Sequence, residues 1–456
     1  MNLGRDREFQ YLNELYAQQG SRLVVLYGQK HIGKTTLVMD FIKDKEHLYY
    51  LADEASQRQQ QYLMARQFQN CGISVSPYPS YQELMDTFAK SCQTKKVLII
   101  DEFDHLVKAG PDFMDAACTL LSSESEKQFL IILCCSSVSF VENQMVSRMG
   151  KAALSISAFI KMRDLEFSAL SRAFPNYTPE EKIALYGILG GVPGLWRHFD
   201  PALTIKQNIC NQILTSGSEL YIEGESIVSS AVREGSVYYS ILSALAGGMD
   251  KLGQIYEHTG FSRAKISVYI KNLMELEFAE KVFSLDTRGS QMQRKGIYKI
   301  SNPFCNFWFR FLYPNRSMQE SMSPEAFYDT YIKNYLEDYC RPCFSKICQG
   351  YMQQLIMSDD FPFEVDETGL FDGKEGYIDF LAMDEDQERS VCAFCCYDKP
   401  YMTYEFYENA LRTIASAKVP RDLIYLFARD GFDEKICLEA KVKENITLLT
   451  IQDWLS

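Results

Sequence analysis

A glycine-rich loop ending in Lys-Thr follows an apolar run near the start of this 456-residue chain. The apolar run covers residues 23–27, and the loop, residues 28–35, reads Gly-Gln-Lys-His-Ile-Gly-Lys-Thr. Strand, loop and helix start arrive together here, which is the context that a phosphate-binding loop requires. Because glycine lets the backbone curl tightly, successive N–H groups can face a phosphate chain. The sequence therefore predicts an α/β domain that binds a nucleotide.

The last two residues of the loop, Lys34 and Thr35, are expected to have different roles. We expect Lys34 to reach the β- and γ-phosphates and the Thr35 hydroxyl to ligate Mg²⁺. The helix that begins near Lys34 adds its positive end to the same anion site. The nucleotide-binding residues predicted from the loop are Gly28, Gln29, Lys30, His31, Ile32, Gly33, Lys34, Thr35 and Thr36.

A second apolar run, residues 97–100, ends in two carboxylates, Asp101 and Glu102. Four consecutive apolar residues predict a strand buried on both faces of a parallel sheet, and such sheets bind ligands at the carboxyl ends of their strands. We expect Asp101 to hold Mg²⁺ through water and Glu102 to orient and deprotonate the attacking water. The alternative is that both carboxylates only cap the following helix.

A third apolar run, residues 129–135, ends in Ser136. A hydroxyl at this place would sense the γ-phosphate, although a serine in a simple turn gives the same sequence. The candidate catalytic residues are therefore Glu102, Lys34 and Ser136. The candidate metal ligands are Thr35 and Asp101.

Composition and charge exclude several other classes of protein. The chain is 46% hydrophobic, so no large region needs to be disordered, and its net charge of −13 argues against nucleic-acid binding over the whole surface. The polar start does not resemble a signal peptide, and no apolar run approaches membrane-spanning length, so we expect a cytoplasmic protein.

The 14 cysteines of the chain are expected to be reduced. The single CxxC, at Cys340 and Cys343, has no second pair at zinc-ligand spacing.

The pattern changes to three helical segments from residue 236. Ser262 is expected to cap the third helix, residues 263–273. A hairpin from residues 278–285 and 297–300 follows, and this order predicts a winged helix-turn-helix.

The middle of the chain is the place to look for contacts with duplex DNA. Residues 229–300 hold 10 Lys and Arg against 7 Asp and Glu, while residues 301–456 hold 15 against 27. The candidate DNA-binding residues are Arg263, Lys265 and Lys271 on the third helix, with Ser267 beside them and Arg288, Arg294 and Lys295 in the wing. The alternative is that the module only packs against its neighbours.

In this order, these features resemble the archaeal-type ATPases of the AAA+/STAND group, over essentially the whole chain. The resemblance implies that Arg5, within the box at residues 3–9, lies near the adenine. It also implies that Pro193, within Gly-Gly-Val-Pro, belongs to a lid. The aromatic stretch at residues 302–311 resembles the start of a C-terminal domain of unknown function that is similar to PD-(D/E)XK nucleases.

The resemblance implies a multidomain α/β protein. Its parts would be a P-loop domain with an AAA+-like parallel sheet (1–174), a helical lid (175–228), a winged helix-turn-helix (229–300) and a nuclease-like α/β domain (301–456). The implied cofactors are ATP and Mg²⁺.

The nuclease-like part departs from relatives with an intact core. Those relatives hold Mg²⁺ with a helix Glu, an Asp and a Glu-x-Lys. The matching positions here carry Ser345, then Asp379, then Ala393 to Cys395. One carboxylate and no lysine cannot build that site, so we expect an inactive domain in which Asp379 is a structural remnant.

The ATPase part also departs from its relatives. They often carry a Gly-Arg that supplies an arginine finger, and the pair here is Gly150-Lys151, with Arg148 and Arg197 as substitutes. A missing finger costs about 10³–10⁵ in turnover. We therefore expect a slowly hydrolysing, nucleotide-dependent regulatory switch. The alternatives are an ATP-dependent DNA-binding protein and a scaffold whose acidic C-terminal domain docks a protein partner, and an oligomer fits all three.

Overall fold

The structure is a computed structural model that describes residues 4–122, 128–228, 235–285, 296–358 and 361–455. Within these ranges, no helix is both long enough and apolar enough to cross a membrane.

Helices and strands alternate in the first part of the chain, residues 4–161. In chain order they are α1 (Asp6–Ala17), β1 (Arg22–Tyr27), α2 (Lys34–Phe41), β2 (His47–Leu51), α3 (Gln57–Asn70), α4 (Tyr81–Ser91), β3 (Lys96–Asp101), α5 (Asp104–Ala109), α6 (Asp112–Ser122), β4 (Phe129–Cys135), α7 (Val146–Met149) and β5 (Ala158–Lys161). A π-helical turn, Phe140–Met145, precedes α7, and a 3-10 segment, Gly150–Ser155, follows it.

In the described part of the chain, these five strands form one parallel sheet in the order β2-β3-β4-β1-β5. Strand β4 lies between β1 and β3, so the segments that follow these three strands leave the sheet side by side. Those segments begin with Gly28, Glu102 and Ser136. The predicted P-loop α/β fold is confirmed, and the sheet brings the three predicted motifs to one edge.

The apolar runs of the sequence become the centre of this sheet. Every residue of β4 is buried, as is every residue of β3 after Lys96. One face of the sheet packs on helices α3, α4 and α6, through side chains such as Phe68, Phe88 and Phe113. This burial holds the carboxyl ends of β1, β3 and β4 in fixed register.

The middle of the chain is largely helical. Its elements are α8 (Phe167–Ala173), α9 (Pro179–Leu189), α10 (Pro193–Trp196), α11 (Ile205–Asn208), α12 (Glu219–Ser226), α13 (Gly235–Ala246), α14 (Leu252–Thr259), α15 (Arg263–Glu275), β6 (Ala279–Phe283) and β7 (Gly296–Ile300). A π-helical segment, Ile209–Leu214, continues α11.

Helices α13, α14 and α15 and the antiparallel hairpin β6–β7 follow one another in the predicted order. The Ser262 side chain caps α15 by accepting a hydrogen bond from the Lys265 amide at 3.3 Å. The helix therefore begins where the sequence predicts, but it continues to Glu275, two residues beyond the predicted end. The wing residues Arg288, Arg294 and Lys295 lie outside the described residues.

The last part of the chain begins with short helices and ends in a second sheet. Its elements are α16 (Pro303–Phe307), α17 (Arg316–Ser321), α18 (Pro324–Phe327), α19 (Leu336–Ile356), β8 (Glu367–Asp372), β9 (Tyr377–Met383), β10 (Ser390–Cys396), β11 (Tyr401–Met402), α20 (Tyr404–Ala417), β12 (Leu423–Ala428), β13 (Gly431–Phe432), α21 (Glu434–Val442), β14 (Ile446–Thr450) and α22 (Ile451–Leu455). Further turns, Trp308–Leu312, Tyr313–Asn315, Tyr328–Ile332 and Lys333–Tyr335, join the short helices.

Among the described residues, five strands form this mixed sheet in the order β14-β12-β10-β9-β8. Strand β8 lies at one edge of this sheet, and the chain just after β6 pairs with it. Ser284 forms a parallel bridge with Leu370, and the Leu285 N–H donates to the Leu370 carbonyl at 2.7 Å. The segment that follows β6 is thus joined to the edge of the C-terminal sheet.

The chain divides into two compact units. One consists of Met1–Leu165 with Gly191–Trp196, and the other of Glu166–Gly190 with Arg197–Ser456. The predicted division into four domains stays a prediction.

Candidate active site

The phosphate loop connects β1 to α2, and its shape depends on Gly33. This residue is the N-cap of α2 and has φ of 100°, in the left-handed region that favours glycine. Helix α2 starts at Lys34, as predicted, so the first amides of the helix and those of the loop belong to one turn of backbone. Such a turn can bind an anion.

Lys34 is held between this loop and the end of β4. Its ammonium Nζ donates to the carbonyl oxygens of Gly28 at 2.9 Å and Gln29 at 3.2 Å, and to the Ser136 hydroxyl at 2.8 Å. The side chain is buried, and this burial lowers the pKa of Lys34, against the opposing effect of the Glu102 charge. The predicted lysine and the predicted serine are therefore in direct contact.

Ser136 also contacts the third predicted catalytic residue. The Ser136 N–H donates to Oε2 of Glu102 at 3.1 Å, and the Ser136 hydroxyl donates to Oε1 of the same carboxylate. Glu102 has φ of 50°, an uncommon value for a residue with a side chain. Lys34, Ser136 and Glu102 thus form one hydrogen-bonded chain across the carboxyl ends of β1, β4 and β3.

The two predicted metal ligands also lie together. Oδ2 of Asp101 accepts a hydrogen bond from the Thr35 hydroxyl at 2.8 Å, and Oδ1 accepts one from the Glu102 N–H at 3.1 Å. Carboxylate and hydroxyl oxygens are hard ligands that suit Mg²⁺, so these two residues fit the predicted ion. Among the described residues, no side chain caps the first turn of α5, which has Phe103 at its N-cap. Asp101 and Glu102 therefore do not cap α5, which was the alternative role for these two carboxylates.

A residue that the sequence analysis missed completes this cluster. Tyr49, on β2, donates its hydroxyl to the same Oδ2 of Asp101 at 2.9 Å. Alternation along a strand places Tyr49 and Tyr50 on opposite faces of the sheet, and this much can be read from the sequence. The pairing of β2 with β3 that brings Tyr49 near Asp101 was not predicted.

The residues assigned by resemblance lie beside the loop. Arg5 is buried, and its Nη2 donates to the Ile32 carbonyl at 3.0 Å. Pro193 lies against Gly33, where an added Cβ would be 3.6 Å from the proline Cγ. The Gly194 N–H donates to the His31 carbonyl at 2.9 Å. The box at the start of the chain and the Gly-Pro segment thus both contact the backbone of the phosphate loop.

The remaining loop residues differ in exposure. Lys30, Thr35 and Thr36 are exposed, and Gln29 is half-buried. Nε2 of Gln29 donates to Oδ1 of Asp164 at 2.5 Å, a contact that the sequence did not predict.

The arginine-finger candidates have other contacts. Nη2 of Arg148 donates to Oε1 of Gln144 at 3.4 Å. Arg197 belongs to the second unit and forms an ion pair with Glu219 at 3.9 Å. The side chain of Lys151 lies outside the described residues.

The DNA-binding candidates on α15 are solvent-exposed residues. Arg263, Lys265 and Lys271 are all exposed. The guanidinium of Arg263 lies 5.5 Å from the centre of the Tyr256 ring, and Nζ of Lys271 lies 3.8 Å from Oε1 of Glu275. The structure therefore leaves all three cations exposed, in a different unit from the phosphate loop.

The positions that the resemblance matches to a nuclease site lie together around the buried Asp379. Oδ1 of Asp379 accepts a hydrogen bond from the Ser345 hydroxyl at 2.5 Å, and Oδ2 accepts one from the Cys395 N–H at 2.9 Å. Burial raises the pKa of Asp379, against the opposing effect of the Ser345 hydrogen bond. Both carboxylate oxygens are thus used by donors of the fold itself. In the described residues, no group of three or more His, Cys, Asp or Glu is placed to hold a metal.

Two families match the sequence. Residues 3–198 match a family described as an ATPase domain predominantly from Archaea. ATP hydrolysis is thus the reaction of the domain that contains Lys34, Glu102 and Ser136. Residues 308–409 match a family described as archaeal and bacterial proteins of unknown function.

Individual proteins are also similar to the chain. An uncharacterized protein of Methanocaldococcus jannaschii is 27% identical over 406 residues, which are 86% of each chain. The Walker-type ATPase of Pyrococcus abyssi is 16% identical with a TM-score of 0.48, covering 67% of this chain and 95% of that one. The ORC2 protein of Aeropyrum pernix is 12% identical with a TM-score of 0.43, covering 70% and 94%.

Proposed function

We propose that the chain binds ATP with Mg²⁺ at the phosphate loop, hydrolyses it slowly, and acts as a nucleotide-dependent regulatory switch in the cytoplasm. The observation that carries this proposal is the hydrogen-bonded chain Lys34–Ser136–Glu102 next to the Thr35–Asp101 pair. It places a cation, a candidate base and two hard oxygen ligands at one edge of the sheet.

Each side chain then has a distinct task. Lys34 would bind the phosphates, and Thr35 and Asp101 would hold Mg²⁺, which would neutralise charge on the phosphate oxygens. Glu102 accepts the proton of the attacking water. Each oxygen of Glu102 accepts one hydrogen bond from Ser136 and keeps a further lone pair that can accept from the attacking water.

Slow turnover follows from the expected lack of an arginine finger. An arginine finger contributes about 10³–10⁵ to turnover in ATPases and GTPases that have one. A slow enzyme remains in its ATP-bound state for long periods, which suits a switch better than a motor.

The switch is supported by the segment Gly191–Trp196. It packs with the P-loop unit, and the chain on both sides of it belongs to the other unit. Because Gly194 is hydrogen-bonded to His31 of the phosphate loop, a change in the loop on ATP binding acts on a segment with covalent links to the second unit. We propose that the lid, the winged helix and the inactive nuclease-like domain respond through this segment.

Measurement of ATP turnover with Mg²⁺ tests the proposal. We expect slow turnover that Lys34→Ala and Glu102→Gln both remove, with ATP binding lost in Lys34→Ala and retained in Glu102→Gln. Circular dichroism serves as the control for folding. Unchanged ATP affinity in a folded Lys34→Ala variant would show that the phosphate loop is not the site.

A second candidate function is ATP-dependent binding of duplex DNA, supported by the three exposed cations of α15. Since Lys and Arg release counterions from DNA, binding through α15 should weaken steeply with salt. We expect Arg263→Ala/Lys265→Ala to abolish retention of duplex DNA at low salt. Lys435→Ala, which removes an exposed lysine of the C-terminal domain stacked on Tyr404, serves as the matched control. No retention by the wild-type protein at low salt would exclude this function and direct attention to protein partners of the acidic C-terminal domain.

A further inference from the structure

Asp101 receives two hydroxyl groups on a single oxygen. Thr35, from the first turn of α2, and Tyr49, from β2, both donate to Oδ2, at 2.8 and 2.9 Å. Oδ1 is held separately by the Glu102 N–H. The carboxylate is 3% exposed, so its orientation depends on these three donors.

The two hydroxyl groups do not have the same task. The Thr35 hydroxyl is itself a proposed ligand of Mg²⁺, so its hydrogen bond to Asp101 changes when it turns to the ion. Tyr49 lies on a neighbouring strand that is paired with β3 through Tyr49 and Ile99. Its hydroxyl can stay on Oδ2 while Thr35 changes partner. Tyr49 and the Glu102 amide would then fix one carboxylate oxygen each.

We propose that Tyr49 is a positioning residue that orients Asp101 for Mg²⁺. This inference rests on the proposed Mg²⁺–ATP site. It assigns to β2, the outermost strand on this side of the parallel sheet, a part in metal binding. Partners that orient a metal-binding side chain typically contribute about 10–100-fold to metal affinity or activity.

Nucleotide binding by Tyr49→Phe, titrated with Mg²⁺ and repeated in EDTA, tests the inference. We expect the apparent affinity for Mg²⁺ to fall roughly tenfold, while ATP affinity in EDTA equals that of the wild type. Tyr50→Phe is the matched control, because the Tyr50 hydroxyl donates to Gln60 on the opposite face of the same strand. It should leave the Mg²⁺ dependence unchanged.

A second comparison separates positioning from a general effect on the fold. In an Asp101→Asn background, Tyr49→Phe should have no further effect on Mg²⁺ dependence, because Tyr49 acts through Asp101. Equal Mg²⁺ dependence of wild type and Tyr49→Phe would overturn the inference. If the wild type bound no ATP, or if Lys34→Ala bound it equally well, the proposed function itself would fail.

Discussion

At the scale of single residues, Ser136 connects two of the candidate catalytic side chains, Lys34 and Glu102. Its hydroxyl accepts a hydrogen bond from Lys34 and donates one to Glu102, so the candidate base and the phosphate-binding lysine share one partner. Glu102 also holds a left-handed backbone conformation, which costs a non-glycine residue of the order of 1–3 kcal/mol. Backbone outliers such as Glu102 cluster at active sites, which agrees with the proposed role of this residue.

The sequence indicated site residues that directly follow a buried strand, but it did not indicate a residue whose contact depends on the order of the strands in the sheet. Lys34, Ser136 and Glu102 each follow a buried strand, and parallel strands bring their carboxyl ends together. Tyr49 lies inside a strand, and its contact with Asp101 depends on which strand becomes the neighbour of β3. Hydrophobic pattern alone does not specify that order.

The buried carboxyl of Asp379 leads to a prediction for the pH dependence of stability. Its pKa is raised in the folded state, so the folded protein loses stability as pH rises from the unfolded pKa, about 3.9, through the folded pKa. Asp379→Asn removes this loss, so its melting temperature at pH 7 should equal or exceed that of the wild type. The difference should shrink below about pH 4, where both side chains are neutral. Thermal melts across this pH range provide the measurement.

Asp329→Asn provides the control of opposite sign. The Lys206 ammonium, 2.8 Å from Asp329, lowers the pKa of this exposed carboxyl. Its contribution to stability is therefore present above the unfolded pKa and lost as pH falls, so Asp329→Asn should be the less stable variant at neutral pH. A large loss of stability in Asp379→Asn at pH 7 would contradict the interpretation of Asp379 as a structural remnant with a disfavoured charge.

At the scale of elements, the fit between the phosphate loop and the Gly-Pro segment depends on the absence of a side chain. A Cβ added to Gly194 would lie 2.6 Å from the His31 carbonyl oxygen and 2.7 Å from its Cβ. The backbone must shift to relieve such a contact, and overpacking of this kind costs about 1–3 kcal/mol. The loop would change shape although Gly194 has no group that binds a ligand.

We therefore expect Gly194→Ala to weaken ATP binding by roughly tenfold, the equivalent of ~1.4 kcal/mol. Titration with a fluorescent ATP analogue measures the change. Gly253→Ala, in α14, is the control, because a Cβ there meets no atom within 4 Å and should be neutral or slightly stabilising. ATP affinity equal to that of the wild type in Gly194→Ala would show that the segment does not support the loop.

Element starts could be predicted better than element ends. Helices α2 and α15 begin at Lys34 and Arg263, as predicted, because a glycine or serine cap marks each start. The end of α15 was placed two residues early. No proline or glycine ends this helix, and the first left-handed residue after it is Glu277, with φ of 59°.

At the scale of the whole molecule, the proposed switch predicts that ATP changes the behaviour of both units. Limited proteolysis and sedimentation velocity, with and without Mg²⁺ and ATP, should give different fragment patterns and sedimentation coefficients. Lys34→Ala should show no such difference, since it does not bind the nucleotide. Identical profiles for the wild type in both conditions would refute the switch and leave the ATPase reaction in place.

The packing of the short segment Gly191–Trp196 with the P-loop unit was not predicted from the sequence. The chain on both sides of this segment belongs to the second unit. The Gly-Pro motif in this segment was visible in the sequence, but the sequence did not indicate which unit the motif packs with. Only the packing of the segment, through residues such as Gly194, shows where it belongs.

The pairing of Ser284 and Leu285 with strand β8 covers part of the edge of the C-terminal sheet. An edge strand presents a row of unpaired N–H and C=O groups, and these can nucleate pairing with another chain and aggregation. The chain that leaves β6 takes up part of this row on Leu370, and Leu285 packs against Gly369. The chain that follows β6 therefore leaves fewer unpaired backbone groups on the β8 edge for the addition of a foreign strand.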